Sequence, residues 1–298
     1  MASGSAKLPI ISVIIPVWGG DADAGPLLEE AVASVVDTVE SSYEIIVVSN
    51  SEDQELRERI QRLNAVDRWC LNSHNAGVAR GWNIGAQLAL GEYLCFMNQD
   101  VVVGPGCIDM LVGVLAAHHT IGMAGPEGTL WEVTPLDTAC GAPVGPSAGV
   151  VDCDAVSGFL FVLRADLYDL VGGFDRAYLP CLYEEIDMSF RVRQHGFRCV
   201  VLGGLDYEHP WGISKGNTWC RVSYLGREDR LRTIRDRNRR RFVARWGRES
   251  SSALDEQAVK AAPRAPSHSG RILADHIVGR LKDVWHDLHS LAKWVMGR

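Results

Sequence analysis

Three polar residues, Asn98, Gln99 and Asp100, interrupt an apolar run at a position where they can meet a ligand. The run before them, residues 93–97, is typical of a buried strand, so the three lie at its carboxyl end. In open parallel sheets, ligands bind in the crevice beyond the carboxyl ends of the strands. A carboxylate there, together with substrate phosphates, suits Mg²⁺ or Mn²⁺. The alternative is an Asx turn that only ends the strand.

Three further strand ends are expected at the same edge, and they are rich in hydroxyl and amide groups. They are Pro16-Val17-Trp18, Ser49-Asn50-Ser51 and the segment from Asn72 to Asn75. The chain contains neither G-x-G-x-x-G nor G-x-x-x-x-G-K-[ST]. A dinucleotide fingerprint and a P-loop are therefore excluded.

The elements that must position these residues alternate between strand and helix. Apolar and β-branched runs predict strands at 10–18, 43–50, 66–72 and 91–104, and helical spacing predicts helices at 25–39, 53–63 and 77–90. This alternation indicates an α/β fold with a mostly parallel central sheet flanked by helices. Gly81 and Gly85 on the third predicted helix suggest that this helix packs closely on its neighbours. Beyond residue 104 the alternation loosens, and a later helix is predicted at 183–197.

The composition excludes some classes of protein and suggests a compartment. With 47% hydrophobic and 22% charged residues the chain can bury a core, and its formal charge of −7 argues against a nucleic-acid partner. Eight cysteines without a C-x-x-C pair are typical of buried free thiols in a reducing compartment. No signal peptide or membrane-spanning run is visible. We therefore expect a cytoplasmic protein, with peripheral contact to the inner face of the cell membrane left open.

The succession of motifs along the chain resembles a known family. In order they are "ISVIIPVW", "EIIVVSNSED", "NAGVARGWNIGAQLALGEYLCFMNQDVVV", "VSGFLFVLRADLYDLVGGFD", "YEEIDMSFRVRQHGF" and "EHPWGIS". Over about residues 8 to 215 this order resembles the family 2 inverting glycosyltransferases with the GT-A fold, and looks most like their bacterial rhamnosyltransferase branch. The resemblance implies a Rossmann-like GT-A domain over 8–220, with a nucleotide-binding half at 8–104 and an acceptor half at 105–220.

The resemblance also implies a metal site and a catalytic base. Asn98-Gln99-Asp100 matches the family's D-x-D motif, so Asp100, with Asn98, would hold Mn²⁺ or Mg²⁺ at the donor's phosphates, and His209 would complete the site. Glu184, Glu185 and Asp187 match its acidic cluster, from which one carboxylate takes the proton of the attacking hydroxyl. Glu185 occupies the place of the usual base, and Glu184 and Asp187 remain in contention. Acids in a first helical turn and an Asp187–Arg191 ion pair are the structural alternative.

For the donor nucleotide the resemblance implies a larger set of contacts. These are Pro16, Val17, Trp18, Ser49, Asn50, Asn75, Gly77, Arg80, Asn83, Asn98 and Gln99. Two positions depart from the family: Ser49 stands where an Asp usually contacts the base, and Trp82 replaces an Arg before Asn83. Base recognition is then left to Ser49, Asn50 or the backbone, and Arg80 can still reach a phosphate.

The C-terminal part is strongly basic and then amphipathic. Between Arg221 and Arg248 there are eleven arginines and three acids, and we predict an Arg-rich helix over 221–250. It contacts either an anion, such as a donor or lipid diphosphate or a membrane surface, or the acidic remainder of the protein. A linker at 251–270 precedes an amphipathic helix at 271–298. An apolar stripe on that helix favours dimerisation, or docking on the same chain, over membrane insertion.

We therefore expect a metal-dependent, inverting hexosyl- or deoxyhexosyltransferase. It would use a UDP-, dTDP- or GDP-linked sugar and the hydroxyl of a glycan or lipid-linked glycan in cell-surface polysaccharide synthesis. A catalytically weak sugar-nucleotide-binding paralogue that acts as an assembly partner is the first alternative. A nucleotidyltransferase is the second, and it would want a basic Gly-rich loop that "PVWGGDADAG" lacks.

Overall fold

The computed structural model describes residues 10–134, 138–144, 149–210 and 220–247. Its strands are β1 (Ile11–Val17), β2 (Tyr43–Ser49), β3 (Arg68–Leu71), β4 (Tyr93–Met97), β5 (Val102–Val103), β6 (Ile121–Gly125), β7 (Gly128–Thr134), β8 (Thr138–Val144), β9 (Val150–Cys153), β10 (Ala155–Val156), β11 (Leu160–Arg164), β12 (Arg198–Leu202), β13 (Tyr207–Glu208), β14 (Arg221–Tyr224) and β15 (Arg227–Arg230). Its helices are α1 (Asp21–Thr38), α2 (Gln54–Arg62), α3 (Val78–Leu88), α4 (Cys107–Ala117), α5 (Ala165–Val171), α6 (Glu184–Gln194) and α7 (Leu231–Trp246).

A central sheet of eight strands organises the described residues, in the order β3-β2-β1-β4-β11-β6-β12-β9. Four of its seven pairings are parallel, and the other three are antiparallel. One buried apolar cluster covers each face, as expected when helices flank both sides. The predicted central sheet is confirmed, and it is mixed because β11, between β4 and β6, and β9, at the edge, run in the reverse direction.

The parallel pairing of the first strands brings their carboxyl ends to one edge. β1 lies parallel to both β2 and β4, and β2 lies parallel to β3. Beyond the strands, the N–H of Asn50 donates to the carbonyl of Val17 at 2.7 Å, and that of Asn72 donates to Ser49 at 3.0 Å. The segments that follow β1, β2 and β3 are therefore joined at this edge, as the sequence predicted.

Helix α3 packs close to the sheet through a glycine and an aromatic cluster. A Cβ placed on Gly85 would lie 2.3 Å from Cγ2 of Ile14, a fully buried residue of β1. Trp82 on the same helix is 1% exposed, and its ring contacts Phe96 and Phe161 at centroid distances of 5.7 and 5.3 Å. The predicted close approach of α3 is confirmed at Gly85.

The prediction of a helix over 221–250 is wrong at its amino end. Residues 221–230 form the hairpin of β14 and β15, and the helix α7 begins at Leu231. Leu225 and Gly226 at the turn have φ of 46° and 71°. A two-residue loop with positive φ at both positions suits the twist of a hairpin.

The expected boundary at residue 220 also differs from the structure. The hairpin is tied to the rest of the protein by Asn75, whose Nδ2 donates to the carbonyl of Ser223 at 3.0 Å. The described residues as far as Gly247 belong to one compact unit. The predicted linker at 251–270 and the amphipathic helix at 271–298, with any dimer contact, lie outside the described residues.

The seven cysteines whose side chains the structure describes are free thiols, as predicted. Cys95, Cys107, Cys153 and Cys199 are buried, whereas Cys220 is exposed. Burial raises the pKa of the Cys95 thiol well above its usual range. Within the described ranges, no helix has both the length and the apolar character needed to cross a membrane.

We predict that Gly85→Ala lowers the free energy of unfolding by about 1–3 kcal/mol, because the new methyl group overlaps a buried side chain that cannot move away. The matched control is Gly113→Ala in the interior of α4, where a Cβ would meet nothing within 4 Å. That change should raise stability by about 0.5–1 kcal/mol through helix propensity. Urea unfolding of both variants checks the pair. Equal effects would show that α3 does not pack on β1 in this way.

Candidate active site

Asp100 and His209 form one cluster at the carboxyl edge of the sheet. The Oδ1 atom of Asp100 lies 3.6 Å from Nε2 of His209, and the two side chains are 7% and 4% exposed. They border a cavity of about 390 Å³ that Glu30 of α1 and Glu208 also line. A carboxylate oxygen beside an imidazole nitrogen is a donor pair that Mn²⁺ and related cations accept.

Backbone pairing brings His209 to Asp100 from a distant part of the sequence. The antiparallel pairing of β13 with β5 sets Glu208 opposite Val102, and His209 follows directly. Gly104 donates its N–H to the carbonyl of Asp206 at 2.8 Å, and a Cβ on Gly104 would overlap the Asp206 side chain. The close backbone contact at Gly104 therefore fixes the approach of the His209 segment.

The two side chains fit a cation that takes further ligands from outside the protein. Among the described residues, no group of three or more His, Cys, Asp or Glu side chains comes together around one point. Mg²⁺ and Mn²⁺ commonly use one or two protein ligands plus water and substrate phosphates, so a small donor set suits them. The prediction that Asn98 also contributes stays a prediction. The structure shows its backbone N–H donating to the carbonyl of Phe159 at 2.8 Å.

The segment Gly158-Phe159 joins this cluster to the acidic cluster on α6. The Phe159 ring stacks on the His209 ring with a centroid distance of 4.4 Å and an interplanar angle of 16°. A Cβ placed on Gly158 would lie 2.9 Å from Cγ of Glu185. Glu185 thus packs against the backbone at Gly158, one residue away from the ring that supports His209. The structure brings the predicted metal ligands and the predicted base to two sides of the same short segment.

Glu184 and Glu185 begin α6 in different environments. Glu184 is 4% exposed, and burial followed by the neighbouring Glu185 charge raises the pKa of its carboxyl well above the usual range. Glu185 is partly exposed, and desolvation raises its pKa from 4.5 to about 7. A carboxyl group with a pKa near neutrality can accept and release a proton under ordinary conditions. Of the two, Glu185 is the one that a ligand can reach.

Asp187 is fully buried and bonded on all sides. Its Oδ2 accepts from Nε of Arg191 at 2.8 Å, the predicted i,i+4 ion pair. Its Oδ1 accepts from Nε1 of Trp246 at 3.0 Å and from the hydroxyl of Tyr178 at 3.2 Å, and Arg245 lies 3.2 Å away. The structural alternative is therefore the role that the geometry of Asp187 supports. Its place among the candidate bases stays a prediction, although both of its carboxylate oxygens already accept hydrogen bonds from the protein.

At the β1 end, Gln99 clamps the backbone of Trp18. Its Oε1 accepts from the N–H of Trp18 at 2.7 Å, and its Nε2 donates to the carbonyl of Trp18 at 3.1 Å. Trp18 itself is 49% exposed, so a ligand can reach its side chain. Val17 is 1% exposed and packs in the core, and Pro16 is partly buried. The predicted contacts of both residues with the nucleotide stay predictions.

The polar residues after β2 build a loop. Ser49 is fully buried, and its Oγ accepts from the N–H of Ser51 at 3.2 Å. Asn50 is 4% exposed; its Oδ1 accepts from Asn72 at 3.0 Å and from the N–H of Ala76 at 3.2 Å. A direct contact of the Ser49 side chain with a base stays a prediction, and the side chain has no exposed surface in this structure. Asn50 shapes the loop over residues 72–77.

Asn75 and Asn83, on or near α3, are predicted to contact the donor nucleotide, but their side chains bond to other parts of the protein. Asn75 holds the β14–β15 hairpin through Ser223, and its Oδ1 accepts from the N–H of Gly77 at 2.9 Å. Asn83 accepts from the hydroxyl of Tyr168 at 2.6 Å and donates to the carbonyl of Phe174 at 2.9 Å. Their contacts with the donor nucleotide stay predictions, and in this structure both amides bond to the protein.

The remaining two predicted donor contacts on this segment stay open. Gly77 has φ of 87°, and a Cβ there would lie 2.7 Å from the carbonyl oxygen of Pro180, so this position needs glycine. Arg80 is partly buried, and its Nε is buried without a hydrogen-bond partner among the described residues. A phosphate contact by Arg80 stays a prediction.

Sequence reasoning missed the residues of α7 that support the acidic cluster. Trp246 and Arg245 reach Asp187, and Asn238 donates to the carbonyls of Cys181 and Leu182 at 2.8 and 3.1 Å. The tail pattern "NRRRFVARWG" contains all three residues. The excess of arginines in this pattern predicts contact with an anion. Its Asn and Trp are the residues that indicate contact with the acidic cluster.

Comparison with known proteins supports these assignments at the level of family and fold. Residues 12–128 match the family model described as Glycosyl transferase family 2. The chain is 26% identical over 222 residues to the O-antigen biosynthesis protein RfbC of Myxococcus xanthus, an alignment that covers 64% of this chain and 16% of RfbC. The chain spans between 16% and 32% of the length of the curated relatives it matches.

Two solved structures share the architecture. GalNAc-T7, determined with UDP, GalNAc and Mn²⁺, superposes with a TM-score of 0.57 at 20% identity, covering 68% of this chain and 44% of that one. The mannosyltransferase PcManGT of Pyrobaculum calidifontis, in complex with GDP-Man and Mn²⁺, gives a TM-score of 0.50 at 15% identity, covering 66% and 56%. The predicted GT-A fold is confirmed. The rhamnosyltransferase branch stays a prediction.

We predict that Glu185→Gln changes the pH dependence of stability. In the unfolded chain Glu185 ionises near its ordinary pKa of 4.5, but in the folded chain it ionises only near 7, so the folded state binds more protons in between. The wild type should therefore lose stability relative to Glu185→Gln as pH rises from 5 to 8, by about 1–3 kcal/mol. Urea unfolding at both pH values measures the difference. The exposed control Asp37→Asn should show no such trend, and a wild type that gains stability relative to Glu185→Gln would contradict the raised pKa.

Proposed function

We propose that this protein transfers a sugar, with inversion, from a nucleoside-diphosphate sugar to a hydroxyl of a glycan or lipid-linked glycan, using Mn²⁺ or Mg²⁺. The observation that carries the proposal is the Gly158-Phe159 segment, which has the Asp100–His209 pair on one side and Glu185 on the other. Transfer needs both groups near one sugar, because the leaving diphosphate and the attacking hydroxyl lie at opposite sides of the same carbon.

At the donor side, Asp100 and His209 are the residues that would hold the cation. A bound divalent cation neutralises the charge that develops on a nucleoside-diphosphate leaving group. The exposed indole of Trp18, fixed by Gln99, offers a flat apolar surface for a base. GalNAc-T7 and PcManGT contain UDP and GDP-Man respectively, which supports a UDP- or GDP-linked donor here. A dTDP-linked deoxyhexose follows from the predicted rhamnosyltransferase branch.

At the acceptor side, Glu185 is the proposed base. It is reachable, it packs on Gly158, and its raised pKa keeps it able to take a proton from a hydroxyl near neutral pH. Glu184 is buried behind it, and its like charge helps to disfavour ionisation of the pair. The similarity to an O-antigen biosynthesis protein supports an acceptor in cell-surface polysaccharide synthesis.

One experiment tests the activity as a whole. The protein is incubated with Mn²⁺ or Mg²⁺ and a panel of UDP-, dTDP- and GDP-sugars, with and without extract-derived acceptors, while nucleotide release and thermal shift are measured. Release that requires both cation and donor supports the transferase. Binding of a donor without turnover under every condition would instead favour a sugar-nucleotide-binding assembly partner.

We predict that Asp100→Asn abolishes the thermal shift that nucleotide produces only with Mn²⁺, because the variant keeps the shape of the side chain but removes the charge that holds the cation. His209→Ala should weaken the Mn²⁺ dependence about 10–100-fold. The matched control is Glu92→Gln, which removes an exposed carboxylate just before the amino end of β4, the strand that Asp100 follows. Wild-type Mn²⁺ dependence in Asp100→Asn would contradict the metal site.

We predict that Glu185→Gln lowers turnover about 10²–10⁴-fold while nucleotide binding is kept, because only proton transfer is lost. In the wild type, kcat/KM should rise with pH through about 7 as Glu185 ionises, and this rise should vanish in the variant. The turnover of Glu184→Gln, which removes the neighbouring carboxylate, is compared with that of Glu185→Gln. A larger loss in Glu184→Gln, or wild-type turnover in Glu185→Gln, would assign the base elsewhere.

A further inference from the structure

The turn that leads into the acidic cluster is held in an unfavourable backbone conformation. Leu182 and Tyr183 have φ of 77° and 79°, and Tyr183 immediately precedes Glu184. Among the described residues, Leu225 is the other non-glycine residue with positive φ. Side chains with a Cβ rarely adopt this region, and consecutive residues there persist only when their surroundings hold them. The direction in which Glu184 and Glu185 leave the turn depends on this conformation.

Asn238 of α7 is the side chain that holds the turn. It is 1% exposed, and its Nδ2 donates to the carbonyl of Cys181 at 2.8 Å and to that of Leu182 at 3.1 Å, with the carbonyl of Leu179 at 3.4 Å. Arg237 also donates to the carbonyl of Leu179. One buried amide thus bonds to the backbone on the amino side of both strained residues. Because these carbonyls are turned toward Asn238, the chain can relax to negative φ only by breaking these bonds.

The carboxyl end of α7 contacts the first turn of α6. Trp246 donates to Asp187 at 3.0 Å, and Phe242 packs on Tyr183 with a ring-centroid distance of 5.5 Å. Helix α7 therefore contacts the strained turn at Asn238 and the helix that follows it at Trp246. Between these two contacts lie Glu184 and Glu185.

We propose that Asn238 is a positioning residue for Glu185: its amide holds the Leu182–Tyr183 turn in the conformation that directs the carboxylate toward Gly158 and the acceptor. The proposal rests on the proposed function of Glu185 as the base. Asn238 itself does not contact substrate. Its effect on the reaction passes through the backbone at Cys181 and Leu182, so it should act on the chemical step and leave donor binding unchanged.

The test compares Asn238→Leu, which keeps the volume but removes the hydrogen-bond donor, with Ile234→Ala. The second change removes a fully buried side chain one turn earlier on the same helix, and isoleucine donates no hydrogen bond to the turn. Asn238→Leu should lower kcat on the order of 10²-fold, as expected when a catalytic group is displaced, with the donor KM and nucleotide affinity within about twofold of wild type. Ile234→Ala should lower the melting temperature without this separation of kcat from KM. An equal loss of kcat in both variants would overturn the proposal.

A second-site change tests the mechanism directly. Glycine adopts positive φ without strain, so Leu182→Gly should keep the turn in place even when Asn238 is absent. The double variant Asn238→Leu/Leu182→Gly is therefore expected to recover part of the turnover that Asn238→Leu loses. No recovery would show that Asn238 does not act through the conformation of this turn.

A readout without turnover separates this proposal from the proposed function. Cys181, whose carbonyl Asn238 holds, is a partly buried free thiol, and Cys220 is an exposed internal reference. Alkylation by iodoacetamide, followed by peptide mass spectrometry, should be faster at Cys181 in Asn238→Leu and unchanged at Cys220. If the wild type turns over no donor, the proposed function fails, but the alkylation rate of Cys181 still tests whether Asn238 holds the turn. An unchanged Cys181 rate would overturn the role of Asn238.

Discussion

The buried carboxylate of Asp187 is the interaction on which the acidic half of the site depends. A charge with no exposed surface is tolerated only when it is fully bonded, and Asp187 has donors from α6, from the Tyr178 loop and from α7. These bonds tie three separate segments to the first turn of α6. Removing one donor leaves a buried charge underpaired, so the position of Glu184 and Glu185 is coupled to residues far along the chain.

A second constraint joins the two chemical halves of the site. Asp100 follows β4, a strand of the parallel half of the sheet, whereas Glu185 begins a helix of the later half. Strand β11 enters antiparallel beside β4, and the residues just before it, Gly158 and Phe159, reach both clusters. The reversal of β11 is therefore also what brings the proposed metal site and the proposed base together. A purely parallel continuation would have started β11 at the other end of the sheet.

The sequence predicts the early strands and helices, the Asp100–His209 pair and the placing of Glu185, because these follow from periodicity and from ordered motifs. It does not predict where amide side chains point. Ser49, Asn75 and Asn83 occupy family positions, yet their polar atoms bond to the protein, a choice made by neighbours that are distant in sequence. Likewise the predicted helix at 221–230 follows from the arginines that dominate the composition, whereas the structure has a hairpin whose turn lies at Leu225-Gly226.

The arginines of the basic segment at 221–248 have different neighbours on different faces of α7. On α7, three arginines at four-residue spacing each pair with a carboxylate and also lie over an aromatic ring, which a planar guanidinium can do and an ammonium cannot do as well. They are Arg237 with Asp229 and Tyr224, Arg241 with Asp175 and Tyr178, and Arg245 with Asp187 and Trp246. For these positions the acidic remainder of the protein explains the charge. Arg235 and Arg239 lie on another face. Burial raises the pKa of the Tyr183 phenol beside the acidic cluster, and the charges of Arg239 and Arg235 oppose that rise.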